Sequence, residues 1–158
     1  MIYVRNDKGR YLPAPKETII SEAKRLLSYG LRRGTAIRGS TDAKEAIGQK
    51  LVTYECEVFA CLFLDTQYRI LAFKELFRGT VNATTVYPRE ILKESLFLNA
   101  SAVIFAHNHP SGLTAPSEQD IELTKKLKDI LKVAEVRVLD HLIVGETTLS
   151  MADEGYLD

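Results

Sequence analysis

The sequence predicts an α/β fold: a mixed β-sheet flanked by helices, with an N-terminal helical extension. Three observations predict it. Two apolar, β-prone runs, ECEVFACLFLD and YRILAFKELF, are joined by the short Asp65-Thr66-Gln67 turn, which reads as a hairpin. Two later runs, SAVIFAHNH and EVRVLDHLIVG, are separated by the helical pattern IELTKKLKDILKV. The full order is helix, helix, strand, strand, helix, strand, helix, strand, strand, which places helices on the faces of one mixed sheet.

Residues 1–15 contain Pro13, Pro15 and turn-forming residues, and read as an extended arm. From Lys16 to about Arg33, Ile19, Ala23, Leu26, Leu27 and Leu31 recur at helical spacing, with Gly34 as the stop. Residues 1–39 are therefore set apart as a basic arm and helix, and residues 40–158 as the main domain. Residues 1–40 hold nine Lys and Arg against three acidic side chains, a net +6, whereas residues 41–158 carry −6. Arg32, Arg33 and Arg38 suit a helix C-terminus or a contact with nucleic acid or an acidic partner. No stacking aromatic series accompanies them.

Ser40 or Thr41 caps a second helix, whose Ala43, Ala46, Ile47 and Leu51 form a core stripe. In the first strand Phe59, Cys61 and Phe63 alternate with Val58, Ala60, Leu62 and Leu64, so both faces are covered. Glu55 and Glu57 stand at its entrance on one face, and spacing does not choose between them. Glu75, near the Arg78-Gly79-Thr80 loop, is a rival carboxylate. Pro88 suits the first turn of a helix that buries Ile91, Leu92, Ser95, Leu96 and Leu98 and leads into the next strand. The last strands flank Gly145, and the tail EGYLD reads as frayed.

The chemistry concentrates in Ser101–Asp120, SAVIFAHNHPSGLTAPSEQD. His107 and His109 are two apart, so on an extended strand both imidazoles face one way. Asp120 falls in the first turn of the following helix, on the side continued by Leu123, Leu127, Ile130, Leu131 and Ala134. Two neutral imidazoles and a carboxylate suit Zn2+ and leave a fourth position for water. A plain capping reading competes, with Ser117 as N-cap and Asp120 near the positive end of the helix dipole. His141, in an alternating apolar run, reads as a hydrogen-bonded structural histidine. The adjacent letters His-Asn-His are not the nuclease motif of that name, whose residues lie far apart.

His107-x-His109 followed by Ser117-x-x-Asp120 resembles the JAMM motif of the JAB/MPN metallopeptidases. LFRGTVNATTVYPREILKESLFLNASAVIFAHNHPSG, PSEQD and VLDHLIVG together resemble the RadC family of bacterial JAB-domain proteins, from about Ser40 to Met151. The resemblance implies a JAB/MPN-like fold, related in architecture to the cytidine deaminases, with zinc on His107, His109 and Asp120. It implies Glu57 as general base, because a glutamate two residues before a phenylalanine opens this strand in RadC-like sequences, as Glu57 precedes Phe59. Ser117 becomes an oxyanion donor, a role in tension with capping. The implied activity is that of a zinc-dependent JAMM-type metallopeptidase acting on an amide or isopeptide bond of a peptide or protein. The alternative is a DNA-associated RadC-like protein, a metal-dependent nuclease or non-catalytic repair accessory, with nucleic acid contacted through the basic N-terminal segment. Longer RadC proteins carry an N-terminal helix-hairpin-helix region, for which the stretch before Ser40 is too short.

A zinc deaminase needs Pro-Cys-x-x-Cys, which the sequence lacks. Cys56 and Cys61, five apart, point to opposite faces of a strand and read as small buried hydrophobes in a reducing compartment. Hydrophobic content of 46% and charged content of 27% are those of a soluble globular chain. No apolar run approaches the roughly 20 residues that span a bilayer, and MIYVRNDKGRYLPAP lacks the apolar centre of a secretory signal, so a cytoplasmic location without membrane contact is expected.

Overall fold

The computed structural model describes residues 1–79 and 84–158, and for Lys24 and residues 27–29 it describes the backbone alone. Thr80 and the side chain of Leu27, both part of the sequence expectations, lie outside the described residues. Tyr3–Arg5 (β1) and Tyr11–Pro13 (β2) form a small antiparallel hairpin, followed by the helix Lys16–Leu27 (α1) and a 3-10 turn, Ser28–Leu31. Then come Ser40–Leu51 (α2), Val58–Leu64 (β3), Ile70–Arg78 (β4), Pro88–Phe97 (α3) and Ala102–Asn108 (β5). Glu118–Val133 (α4), Arg137–Val144 (β6) and Thr148–Ser150 (β7) complete the fold.

The main sheet has five strands in the order β4-β3-β5-β6-β7. The β5–β6 pair is parallel and the other pairs are antiparallel, so α4 is the crossover between parallel neighbours. The expected mixed sheet with helices on its faces is what forms. Alternation along the central strands divides the core. Ala60, Leu62, Ile104 and Ala106 pack with Ile47 and Leu51 of α2 on one face. Phe59, Phe63, Val103 and Phe105 pack with Ile91 of α3 and with Leu127 and Leu131 of α4 on the other. His107 continues the second series and Asn108 the first, which fixes where each points. Cys56 and Cys61 are free thiols, the first half-buried and the second fully buried. No helix among the described residues is long and apolar enough to cross a membrane.

Four sequence expectations are corrected. The N-terminal arm is a hairpin, because the Asn6 carboxamide accepts the Lys8 and Arg10 amides and Gly9 supplies the positive φ of 77° that the turn requires. The first helix ends at Leu27 rather than near Arg33, and Ile19, Ile20, Ala23 and Leu26 stay exposed, Leu26 by 55%, so the apolar stripe is no core stripe among these residues. The cap of α2 is Gly39, not Ser40 or Thr41, and the Asp42 carboxylate inside the first turn takes the Arg38 amide. The tail is docked rather than frayed: Leu157 is buried against Ile143 and Met151, and its carbonyl accepts a hydrogen bond from Lys128 Nζ.

The rotation of α4 aims Asp120, so its packing is a test of how the site is placed. Leu131→Ala should lower unfolding free energy by about 3 kcal/mol. Val133→Ala, two residues on and 88% exposed, should stay within about 0.5 kcal/mol of wild type in the same denaturant titration. Equal effects would mean a different helix rotation.

Candidate metal centre

At its C-terminal end β5 delivers His107 and His109 to one side, as their spacing predicts. His109 lies one residue past the strand but stays in register, because its amide donates to the Val144 carbonyl at 2.8 Å. Pro110 then turns the chain away. The loop is seated by close backbone contact: the Glu146 amide donates to the Gly112 carbonyl at 2.9 Å. A Cβ on Gly145 would stand 2.3 Å from that same oxygen, so this position excludes any side chain.

Asp120 arrives from the start of α4 through a reciprocal capping box. Ser117 Oγ accepts the Asp120 amide at 3.1 Å, and Asp120 Oδ2 accepts the Ser117 amide at 2.8 Å. Capping does not exhaust Ser117. A hydroxyl has one proton and two lone pairs, so as acceptor to Asp120 it keeps its proton for another partner, and the expected tension between its two roles disappears.

The donor atoms converge. His107 Nε2 lies 2.8 Å from His109 Nε2 and 3.2 Å from Asp120 Oδ1, and His109 Nε2 lies 3.5 Å from Asp120 Oδ2. Tetrahedral zinc with ligands at about 2.1 Å separates its ligand atoms by about 3.4 Å, close to the two imidazole–carboxylate spacings and wider than the spacing between the imidazoles. The outward nitrogens are already engaged. His109 Nδ1–H donates to the Leu113 carbonyl at 2.8 Å, and His107 Nδ1 meets His141 Nε2 at 2.7 Å. Both Nε2 atoms are thereby turned toward the carboxylate, an arrangement that a cation completes. His107, His109 and Asp120 form the cluster of possible metal ligands found among the described residues, and their chemistry fits zinc.

Electrostatics follow from this crowding. Burial acts to raise the Asp120 carboxyl, but hydrogen bonds and charge from His107 and His109 outweigh it and hold the group well below the usual carboxylate range. The hydrogen bond to Asp120 raises His109 in turn, against its burial. Burial holds His141 well below the ordinary imidazole value. Glu57 is pushed up, first by burial and then by Asp120, with the two histidines opposing.

Glu57 immediately precedes β3, is half-buried and lines the same cavity of about 450 Å3 as His107, His109, Ser117 and Asp120. Glu55 is exposed and does not line it. Glu75 is engaged elsewhere, accepting the Tyr54 hydroxyl at 2.5 Å and pairing with Arg78 at 3.1 Å. His141 is fully buried behind His107 and outside the ligand cluster.

Asn108 is the residue that sequence reasoning missed. Its Oδ1 accepts the Val58 amide at 2.7 Å, and its Nδ2 donates to the Cys56 carbonyl at 2.9 Å. The carboxamide between the two histidines thus grips the peptide groups on either side of Glu57. The available signal was a polar side chain on a buried strand face, which must find partners.

A model of the RadC-like JAB domain matches residues 37–156. A UPF0758 protein of Vibrio cholerae is 49% identical over 153 residues, covering 95% of this chain and 97% of the relative. A second from that organism is 50% identical over 139 residues, covering 88% of each. A UPF0758 protein of Thioalkalivibrio sulfidiphilus is 44% identical over 144 residues, covering 91% of this chain and 65% of that protein.

Asn108→Ala should leave the Val58 amide and Cys56 carbonyl unpaired, lowering unfolding free energy by about 2–4 kcal/mol. It should also speed hydrogen exchange at the Val58 amide specifically. An unchanged Val58 exchange rate would contradict the clamp.

Proposed function

The chain belongs to the RadC-like JAB domain family, and from that premise we propose that it is a zinc-dependent hydrolase cleaving an amide or isopeptide bond. One observation carries the reading: two imidazole nitrogens and a carboxylate converge in the same cavity as a second, half-buried carboxylate that is not part of the ligand cluster. That division, three groups to hold a metal and one to move a proton, is what metal-assisted hydrolysis needs.

His107, His109 and Asp120 would hold the zinc, which when bound makes water nucleophilic near neutral pH and polarises the scissile carbonyl. Glu57 takes a proton from the attacking water and returns it to the leaving amine. Burial raises its affinity for that proton, which suits a group that must both accept and release it. Ser117 directs its spare hydroxyl proton to the oxygen on which negative charge develops, a contribution of about 3 kcal/mol for a well-placed donor. An amide substrate is favoured over a phosphodiester because the cluster offers ligands for one ion, whereas phosphoryl chemistry is typically served by a pair. A nucleic-acid substrate is the second reading and rests on the net +6 of residues 1–40.

Purified protein should hold about one zinc per chain, and His109→Ala should lose it. Glu57→Gln should keep the metal while lowering hydrolysis of a responsive peptide or isopeptide by at least about 100-fold. Full zinc retention by His109→Ala, or full activity of Glu57→Gln, would overturn these roles. A salt titration with duplex and single-stranded DNA tests the second reading, since phosphate contacts weaken steeply with salt.

A further inference from the structure

We propose that His141 and Thr124 are positioning residues for the metal centre: together they fix the tautomer and orientation of His107 and close a hydrogen-bonded loop between two of the three ligands. This rests on the reading of His107, His109 and Asp120 as metal ligands. The loop runs from His107 Nδ1 to His141 Nε2 at 2.7 Å, from His141 Nδ1 to Thr124 Oγ1 at 2.6 Å, and from Thr124 Oγ1 to the Asp120 carbonyl at 2.6 Å.

Each proton position follows from the next. A carbonyl only accepts, so the single Thr124 proton lies on the contact to Asp120. The Met151 Sδ, 3.8 Å from the same hydroxyl, is a weak acceptor and too distant to compete. Toward His141 the Thr124 oxygen therefore accepts, and His141 carries its proton on Nδ1. His141 Nε2 is then a bare acceptor, so His107 carries its proton on Nδ1 as well. His107 Nε2 is left with a lone pair aimed at the site. The order begins at a backbone carbonyl, which cannot change roles.

The surroundings hold this order in place. His107, Thr124 and His141 are all buried, so bulk water offers no substitute partners. Phe59 and Phe105 meet the His141 ring edge-on, with centroids at 5.5 and 5.8 Å. The His141 backbone is anchored separately: the Asp140 carboxylate accepts the His141 amide at 2.7 Å, the Ala152 amide at 3.0 Å and the Ser150 hydroxyl at 2.5 Å. Asp140 thus fixes the strand while His141 fixes the ligand.

The test compares wild type with His141→Leu, Thr124→Val, His141→Gln and Thr124→Ser, each first shown to fold by circular dichroism. Gln supplies an acceptor and a donor in the order of the ring it replaces, and Ser restores the hydroxyl. In competition with a chromophoric chelator, His141→Leu should bind zinc about 10–100-fold more weakly and Thr124→Val about 10-fold, with Gln and Ser within about threefold of wild type. Long-range 1H–15N spectra of metal-free wild type should show His107 and His141 both protonated on Nδ1. Thr124→Val, which keeps the side-chain volume, should lose that single tautomer at His141. Should His141→Leu fail to fold, the Thr124→Val and His141→Gln comparison decides. Wild-type zinc affinity in the Leu and Val variants, or His107 protonated on Nε2, would overturn the inference and leave the ligand reading standing. Absence of zinc binding by wild type would overturn both.

Discussion

Three electron-rich groups, two imidazole Nε2 atoms and a carboxylate, are held with their donor atoms within 4.8 Å of one another. Such groups repel unless positive charge lies among them, and in a partly buried site that repulsion is weakly screened. The rest of the fold opposes it. The parallel register of β5 with β6 fixes the two histidines, the capping box fixes Asp120, and the contact of Gly112 with Gly145 seats the loop between them. The hydrogen bond to Asp120 raises the proton affinity of His109, which acts in the same sense. A metal ion there would compete with protons for the same atoms.

Asp120 answers to two demands at once. As the third residue of α4 it completes the cap through Oδ2, where the helix dipole favours negative charge, while Oδ1 faces His107. The cap gives the carboxylate one rotamer before any ion arrives. The same helix turn carries Thr124, whose hydroxyl reaches back four residues to the Asp120 carbonyl. One turn of helix therefore carries Asp120 and, four residues on along the same face, the origin of the hydrogen-bond order that reaches His107.

The sheet, its helices and the convergence of His107, His109 and Asp120 were legible because they depend on periodicity: two along β5 and 3.6 along α4. His141 was read correctly as hydrogen-bonded, but its partners were not legible, since they are set by the packing of α4 across the β5–β6 pair. Asn108 showed only its polarity on a buried strand face, and the partners that it and Thr124 find across the fold were not legible for the same reason. The N-terminal errors have a different origin. The apolar spacing of α1 was real, yet amphipathicity states only that a face is available for burial. Ile19, Ile20 and Leu26 show that the rest of the described chain does not cover it. The tail was misread because one apolar residue, Leu157, was enough to dock it once Ile143 and Met151 offered a pocket.

The Asn108 clamp bears on why Glu57 rather than its neighbour suits proton transfer. A general base must lie within hydrogen-bond reach of the proton it takes, and an error of an ångström there is expensive in rate. Glu57 precedes the first regular residue of β3, where strand pairing alone would leave the backbone loosely placed. Asn108 removes that freedom by bonding the peptide groups before and after it. The Glu57 carbonyl is held as well, by the Gly79 amide at 2.8 Å and the Thr84 hydroxyl at 3.1 Å. Because Asn108 lies between His107 and His109, Glu57 and the two imidazoles share one short piece of framework. Displacement of His107 and His109 by strain or mutation would therefore be felt at the Glu57 backbone through the Asn108 carboxamide.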